Sequence, residues 1–240
     1  MTTTADTPTF DPALEAPTRR IDSTAWDDIY VVGDVHGCRE TLERLLAELA
    51  PTDDDLVVFV GDLVRKGPDS KGVLDVVRDR PNLVSVRGNN EQKLVDGRKS
   101  IDALTEADYD YVESLPVAIS WDDALVVHGG IDHRKPVVEH TLTELLNNRS
   151  LTPDGSYERP YWFETRRESP RVFFGHTVLA EPFVTDHAVG LDTGCVYGGQ
   201  LTAYDYRADE LVTVEPPETY VSRSADSIVE PRLADPPEGQ

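Results

Sequence analysis

Polar side chains with metal-binding chemistry follow one apolar run after another along this sequence. Each run ends in a short cluster that contains aspartate, asparagine or histidine next to a glycine. The clusters are Gly33-Asp34-Val35-His36-Gly37, Gly61-Asp62, Gly88-Asn89, Val127-His128-Gly129 and Gly175-His176. Carboxylate oxygens, amide oxygens and imidazoles, without a thiolate among them, suit manganese, iron, zinc or similar divalent ions. Two such ions about 3.5–4 Å apart can share one carboxylate and hold a phosphate for in-line attack.

Taken singly, each of these clusters is weak evidence for chemistry. A Gly-Asp pair or a lone histidine at the end of a strand is more often a turn or a packing feature. Five clusters in order, each after an apolar run, are difficult to explain by packing. The glycines fit tight turns that bring the backbone close to a phosphate. The pattern therefore favours a site for phosphate chemistry.

The first half of the chain alternates between strand and helix patterns, which would place these clusters at one edge of a sheet. The runs DIYVVGD, LVVFVGD and NLVSVRGN predict buried strands, and CRETLERLLAELA and PDSKGVLDVVRDR predict helices between them. This order implies parallel strands joined by right-handed crossovers. Ligands of open α/β sheets collect at the carboxyl ends of the strands.

The second half of the chain is rich in short strand patterns. VAISW and ALVVHGG, on either side of Asp122-Asp123, predict a hairpin. Further short strands are predicted in RVFFGHT, PFVTD, AVGLDTG, QLTAYDY and ELVTVE. We therefore expect an α/β domain with more than one sheet over residues 27–215. Residues 1–26 and the acidic, proline-rich residues 216–240 are predicted to be mobile tails.

The composition excludes several classes of partner. The 240 residues include 45 acidic and 23 basic ones, for a formal charge of −22, which argues against nucleic acids and anionic membranes. The excess of aspartate, and of arginine over lysine, resembles proteins of halophilic archaea, with an acidic mesophilic protein as the alternative. Cys38 and Cys195 are interpreted as free thiols of a reducing cytoplasm. A cytoplasmic location is expected, because no signal-peptide pattern and no apolar run of roughly 20 residues occurs.

The clusters, taken in order, resemble the signature blocks of a known family. GDVHG, GDLVRKGP, RGNNE, VHGG and FGHT are similar to blocks of the calcineurin-like metallophosphoesterases. The likeness is nearest to the phosphoprotein phosphatase branch, which includes Ser/Thr phosphatases and symmetrical diadenosine tetraphosphatases. LDTGCVYGGQLTAY extends the likeness, which spans residues 28–206. It implies a four-layer sandwich of two mixed β-sheets flanked by helices, and a phosphatase that hydrolyses phosphate esters or anhydrides.

The resemblance also implies a set of functional residues. One ion would be held by Asp34, His36 and Asp62, and the other by Asp62, Asn89, His128 and His176. Manganese is expected at both positions, with iron, zinc or nickel as alternatives, and a metal-bound hydroxide would attack phosphorus directly. The cationic candidates for binding phosphate are Lys66, Arg87 and either Arg166 or Arg167. A solvated surface pair is the alternative for the last two. The substrate would be a phosphorylated small molecule, a nucleotide or a phosphoprotein, and the oligomeric state is not predicted.

The sequence departs from the family at a pair of residues that supplies a proton. The family has histidine where this chain has Asn90, aspartate at Arg65 and arginine at Lys66. In the family the aspartate and the histidine act together, and the histidine protonates the leaving oxygen. A positioned general acid contributes roughly 10²–10⁴-fold, so we expect slow turnover of poor leaving groups and less effect on anhydrides or aryl phosphates. Arg65 either contacts phosphate or faces solvent.

Three interpretations stay open at this point. The loss of the pair indicates either an altered mechanism or a pseudo-phosphatase that binds phosphate or nucleotide with little turnover. His133 is either a substitute acid or a solvated loop residue. Asp192 and Thr193 either support the site or the second sheet, or form a turn.

Overall fold

The computed structural model describes residues 10, 14, 16–152 and 157–233. The strands are β1 Thr18–Arg20, β2 Ile29–Val32, β3 Leu56–Phe59, β4 Leu83–Ser85, β5 Ala118–Trp121, β6 Ala124–Val127, β7 Arg171–Phe174, β8 Phe183–Val184, β9 Ala188–Gly190, β10 Leu201–Asp205 and β11 Glu210–Val214. The helices are α1 Arg39–Leu49, α2 Ser70–Arg78, α3 Asn89–Val95, α4 Glu106–Ser114, α5 Leu142–Asn147 and α6 Trp162–Thr165.

The strands form two mixed sheets. The first is five-stranded, in the order β11-β10-β2-β3-β4, and its β2, β3 and β4 are parallel as predicted. β10 joins this sheet antiparallel to β2. The second is six-stranded, in the order β1-β5-β6-β7-β9-β8, and contains the predicted β5–β6 hairpin. In both sheets the apolar strands are buried, which explains their near-continuous hydrophobic runs.

Three apolar clusters separate four layers. Between the sheets, residues such as Val31 and Val58 of the first sheet meet Ile119 and Phe173 of the second. The opposite face of the first sheet packs against α1 and α2, and the opposite face of the second packs against α5 and α6. The expected four-layer sandwich is therefore confirmed.

The helices that join β2, β3 and β4 are short and amphipathic. In α1, Leu42 and Leu45 are buried, whereas Glu43 and Arg44 are exposed. α2 begins after Asp69, whose carboxylate accepts the N–H of Gly72 at 2.7 Å and so satisfies one of the free donors of the first turn. Over the described ranges, no helix combines the length and the apolar character that a bilayer crossing requires.

Parts of both predicted tails belong to the folded structure. Residues 18–20 form β1, which pairs in parallel with β5, and the next residue, Ile21, is buried between the sheets. Beyond residue 215, Val229 is 4% exposed and packs on the outer face of the second sheet. The prediction of tails over 1–26 and 216–240 therefore does not hold for these segments, because backbone pairing and single apolar anchors order them. Its remaining parts, 1–9, 11–13, 15 and 234–240, lie outside the described residues.

Candidate metal centre and active site

The six predicted metal ligands lie at the carboxyl ends of strands from both sheets. They are Asp34 and His36 after β2, Asp62 after β3, Asn89 after β4, His128 after β6 and His176 after β7. β2, β3 and β4 run in parallel, as do β6 and β7, so the carboxyl ends of these strands lie at one edge of each sheet. The ligand atoms of Asp34, His36 and Asp62 all lie within 4.8 Å of one another, and all three residues are buried.

Asp62 occupies the centre of this arrangement. Its Oδ2 lies 3.5 Å from Nε2 of His36, which is also 3.7 Å from Oδ2 of Asp34. Its other carboxylate oxygen, Oδ1, lies 3.5 Å from Nε2 of His128. One carboxylate oxygen thus faces each half of the cluster, which is the geometry needed for a ligand shared by two ions.

Backbone carbonyls orient the two imidazoles. Nδ1 of His128 lies 2.8 Å from the carbonyl oxygen of Val60, and Nδ1 of His36 lies 3.3 Å from that of Val64. A carbonyl can only accept, so Nδ1 carries the hydrogen and the lone pair is left on Nε2, facing Asp62. Nε2 of His128 is buried and has no hydrogen-bond partner among the described residues. A buried acceptor of this kind, aimed at a carboxylate, fits a divalent ion between them.

Two of the histidines are held in the form that binds metals. Burial lowers the pKa of His36 to about 3, and Asp62 offsets only part of this effect. Burial, together with His128 and the cation of Arg149, places the pKa of His176 well below its ordinary value. Both imidazoles are therefore neutral at ordinary pH, which metal coordination requires.

The carboxylates of the centre crowd negative charge in a buried space. Burial, Asp192 and Asp62 raise the pKa of Asp34 well above its ordinary value. Burial also raises the pKa of Asp62, but His128 and His36 outweigh it and leave that pKa lowered. Divalent ions would neutralise this charge, so the donor set fits the dinuclear site that the family resemblance implies.

The turns that carry the ligands are strained and need glycine neighbours. His36, Asp62 and His176 have φ angles of 50°, 53° and 64°, in the left-handed region that residues with a side chain rarely adopt. A Cβ on Gly88 would lie 2.3 Å from Oδ1 of Asp62, and one on Gly175 would lie 2.0 Å from Oδ1 of Asp34. These two glycines make room for ligand carboxylates, whereas the sequence pattern suggested room for phosphate.

Glu91 is a positioning residue that sequence reasoning missed. Its carboxylate is fully buried and accepts the backbone N–H groups of Asp62 and Gly88 at 2.8 Å and of Val64 at 3.1 Å. It thus ties the turn after β3 to the turn after β4. Burial, with a contribution from Asp62, raises its pKa to about 7. The capping-box spacing from Gly88 to Glu91 was the available signal.

Of the three residues that depart from the family, Lys66 and Asn90 contact predicted ligands, and Arg65 contacts Asn90. Nζ of Lys66 lies 2.7 Å from Nε2 of His36. The guanidinium of Arg65 donates to Oδ1 of Asn90, and Nδ2 of Asn90 donates to Oδ2 of Asp62. The backbone N–H of Asn90 donates to the other oxygen of Asp62 at 2.8 Å. Arg65 and Asn90 are therefore joined as a pair, and Asn90 holds the central carboxylate.

Three predicted phosphate-binding arginines are engaged elsewhere. Arg87 is buried and donates to Oε1 of Gln92 at 3.0 Å and to a backbone carbonyl of α4. Arg166 is buried and donates to the carbonyl of Pro170 at 2.8 Å. Arg167 donates to backbone carbonyls at 2.7 and 3.0 Å. The hydrogen bonds found for these guanidinium groups in the described ranges therefore go to Gln92 and to backbone carbonyls, and not to the cluster around Asp62.

Two further arginines, Arg149 and Arg223, lie near the centre. Nη2 of Arg149 lies 2.8 Å from Nε2 of His176, and its guanidinium is 4.1 Å from the ring centroid of Tyr157. Arg223 lies 4.6 Å from the ring of Tyr197 and donates to the hydroxyl of Tyr157 at 2.6 Å. The sequence did not point to either arginine, because Arg149 lies in no recognisable motif and Arg223 falls in a predicted tail.

The other residues singled out in the sequence are not among the proposed metal ligands. His133 is half-buried, and no hydrogen bond to a predicted ligand is found for it in the described ranges. Asp192 accepts the backbone N–H two residues later at 3.1 Å, and Thr193 donates to a carbonyl at 2.7 Å. Asp192 therefore forms a turn, and its carboxylate also lies near enough to Asp34 to raise the pKa of that ligand. Cys38 and Cys195 are buried in the apolar layer beneath the centre, in agreement with free thiols.

Comparison with known proteins agrees with the fold and identifies the family. A family model described as calcineurin-like phosphoesterase matches residues 28–188. That range contains all six predicted ligands. The chain therefore belongs to the calcineurin-like phosphoesterase family, as the sequence motifs indicated.

The similar proteins carry two kinds of name, nucleosyl-tetraphosphatase and protein phosphatase. The asymmetrical bis(5′-nucleosyl)-tetraphosphatase PrpE of Oceanobacillus iheyensis is 27% identical, over 81% of this chain and 94% of the relative. Serine/threonine-protein phosphatase 1 of Salmonella typhimurium is 29% identical, over 77% of this chain and 94% of the relative. The crystal structure of a candidate diadenosine tetraphosphatase aligns with a TM-score of 0.75 at 28% identity, covering 83% of this chain and 98% of that one.

Proposed function

We propose that this protein is a metal-dependent phosphoesterase that hydrolyses phosphate esters or anhydrides at the cluster around Asp62. The observation that carries the proposal is the convergence of Asp34, His36 and His128 on the carboxylate of Asp62. Asn89 and His176 complete the proposed set at the edges of the cluster. Two divalent ions held there would activate a water molecule and polarise the phosphoryl oxygens.

The residues of the chain would bind and orient the phosphate around that centre. Lys66 and Arg149 are the cations whose nitrogens lie 2.7 Å from His36 and 2.8 Å from His176. Because each lies against a different proposed ligand, they can donate to the oxygens of one phosphoryl group. Glu91 and Asn90 act through the position of Asp62. Arg87, Arg166 and Arg167 remain candidates by resemblance alone.

The proposed substrates are phosphorylated nucleotides, small molecules or phosphoproteins. The names of the relatives support both a nucleoside polyphosphate and a phosphoprotein. We further propose manganese as the ion, which a donor set of carboxylate, amide and imidazole groups without thiolate supports. We also propose function at high salt, which the charge of −22 supports, and a cytoplasmic location.

The test is hydrolysis of an aryl phosphate by purified protein in molar salt, with manganese added after chelation. Phosphate release that requires the ion, and that falls by at least about 10³-fold in Asp62→Asn, is expected because the shared ligand is lost. An exposed aspartate, Asp110→Asn, is the matched control. Metal-independent release, or full activity in Asp62→Asn, would contradict the proposal.

A second candidate is a pseudo-phosphatase that binds phosphate groups without turnover. It is favoured by Asn90, whose amide cannot supply a proton at the position where the family has its acid. Its signature is tight phosphate or nucleotide binding by the metal-loaded protein with no phosphate release from any substrate class. Turnover of an anhydride at ordinary enzymatic rates would exclude it.

A further inference from the structure

Two cations, Arg65 and Lys93, lie beside the metal centre and contact the same residue, Asn90. Although acidic residues outnumber basic ones, no salt bridge to a carboxylate is found for Arg65 or Lys93 in the part of the chain that the structure describes. Other cations lie against carboxylates, as in the pairs Arg39–Glu43, Arg78–Asp108, Arg98–Asp96, Arg134–Asp132 and Lys135–Glu144. Positive charge left unpaired on so acidic a protein indicates a place for an anion.

Both cations converge on a single oxygen. The guanidinium of Arg65 donates to Oδ1 of Asn90, and Nζ of Lys93 lies 3.4 Å from the same oxygen. The backbone N–H of Arg65 is fixed by Oγ of Ser70 at 2.8 Å, with φ at 72°. A neutral amide oxygen is a weak acceptor for two cations, and a phosphate oxygen is a stronger one.

The two charges also repel each other. Burial lowers the pKa of Lys93, and the positive charges of Arg65 and Lys66 lower it further, although Asp62 raises it. An anion bound between them would relieve this repulsion.

A cavity links one of these cations, Lys93, to the predicted metal ligand Asn89, whereas Arg65 is not part of its lining. Its volume is about 430 Å³, within the range of ligand sites, and its lining includes the predicted ligand Asn89 together with Lys93 and Arg98. A group attached to a phosphoryl on the cluster can therefore extend past Asn89 towards Lys93. Asn90 stands between, with its amide on Asp62 and its oxygen towards the two cations.

We propose that Arg65, Asn90 and Lys93 form a subsite for the leaving phosphate of a phosphoanhydride. This inference rests on the proposed function and narrows its substrate class. In the reaction, the oxygen of water forms a bond to phosphorus, and the bond between phosphorus and the bridging oxygen breaks. The electron pair stays on the bridging oxygen, now part of a leaving phosphate, and the proton of water goes to solvent. A leaving phosphate needs no proton at neutral pH, so fixed positive charge can replace the acid that an alkoxide would require.

The test compares ligands with one and two phosphorus groups, so that binding is measured apart from turnover. Methylphosphonate and non-hydrolysable methylenediphosphonate are titrated calorimetrically into manganese-loaded protein, with free manganese and salt held constant. Arg65→Gln and Lys93→Gln should each weaken the binding of methylenediphosphonate roughly tenfold, which corresponds to one charge-assisted hydrogen bond. The affinity for methylphosphonate should change less than about twofold. Lys99→Gln, an exposed neighbour of the same charge, is the matched control.

Each outcome decides the question. Equal weakening of both ligands would place the two cations at the metal centre itself and overturn the subsite, as would unchanged binding of both. Lys93→Gln alone suffices if Arg65→Gln does not fold. If the variants lose affinity for methylenediphosphonate as expected, but the wild-type protein hydrolyses no substrate, the proposed function fails and the subsite stands.

Discussion

Replacing the Arg65–Asn90 pair by aspartate and histidine should restore turnover of poor leaving groups. Asn90→His places an imidazole next to the central carboxylate of Asp62, in a position to protonate a leaving alkoxide. Arg65→Asp replaces the guanidinium that now contacts residue 90. The backbone at Arg65, with φ at 72°, accommodates aspartate better than most residues, so the substitution should not strain the turn.

The size of the expected gain in activity follows from the contact between the side chains at positions 65 and 90. With Arg65 retained, an imidazolium at residue 90 would face a like charge about 4 Å away, which costs about 4 kcal/mol at an effective dielectric constant of 20. Asn90→His alone should therefore gain less than about tenfold. In the double variant the side chain at position 65 is negative, so its interaction with the imidazolium at position 90 becomes attractive. The acid can then accelerate hydrolysis of an alkyl phosphate roughly 10²-fold or more. An anhydride, whose leaving group needs no proton, should gain nothing.

The assay is kcat/KM across phosphate monoesters whose leaving groups span a wide range of pKa. The double variant should show a weaker dependence of rate on leaving-group pKa than the wild type. Manganese content, measured for each variant, controls for loss of the centre. A gain that is equal across the series, or a single variant that matches the double, would refute the reasoning about this pair.

Two further predictions concern stability. Although burial raises the pKa of Asp108, hydrogen bonds at the start of α4 and from Arg78 (2.6 Å) lower it to about 2. The stabilisation by this carboxylate is therefore present above pH 3.8 and is lost as the pH falls through 2. Asp108→Asn should lower the free energy of unfolding in urea by about 1–3 kcal/mol at pH 7 and by much less at about pH 2.5. The exposed Asp110→Asn is the control. Truncation after residue 215, which removes buried Val229, should lower the Tm by roughly 5 °C or more relative to a chain ending at residue 233. Equal Tm values would show that this segment contributes nothing to the fold.

The clustering of the proposed metal ligands was largely predictable from the sequence because its signals are local. Each predicted ligand directly follows an apolar run, and buried strands of a parallel sheet bring their carboxyl ends together. The same logic predicted β2, α1, β3, α2 and β4. It missed β1, whose sequence Thr-Arg-Arg has no apolar alternation, and the polar α4, which buries only Asp108 and Val112.

The phosphate-binding residues were harder to predict, since residue type does not show where a long side chain points. Arg87 and Arg166 are close in sequence to the motifs, yet both donate to backbone carbonyls away from the centre. Arg149, outside every motif, reaches His176. The contact between Arg65 and Asn90 crosses 25 residues of sequence, and only the fold shows that the two unusual residues form a pair.

The central claim is that two metal ions gathered around Asp62 make this protein a hydrolase. The most direct measurement titrates manganese into chelator-treated protein in molar salt, while bound metal and phosphate release from an aryl phosphate are followed together. The account predicts two ions per chain, with activity rising as they bind, and loss of both in Asp62→Asn. Phosphate release without bound metal, or a wild-type protein that binds no ion at any salt concentration, would contradict it.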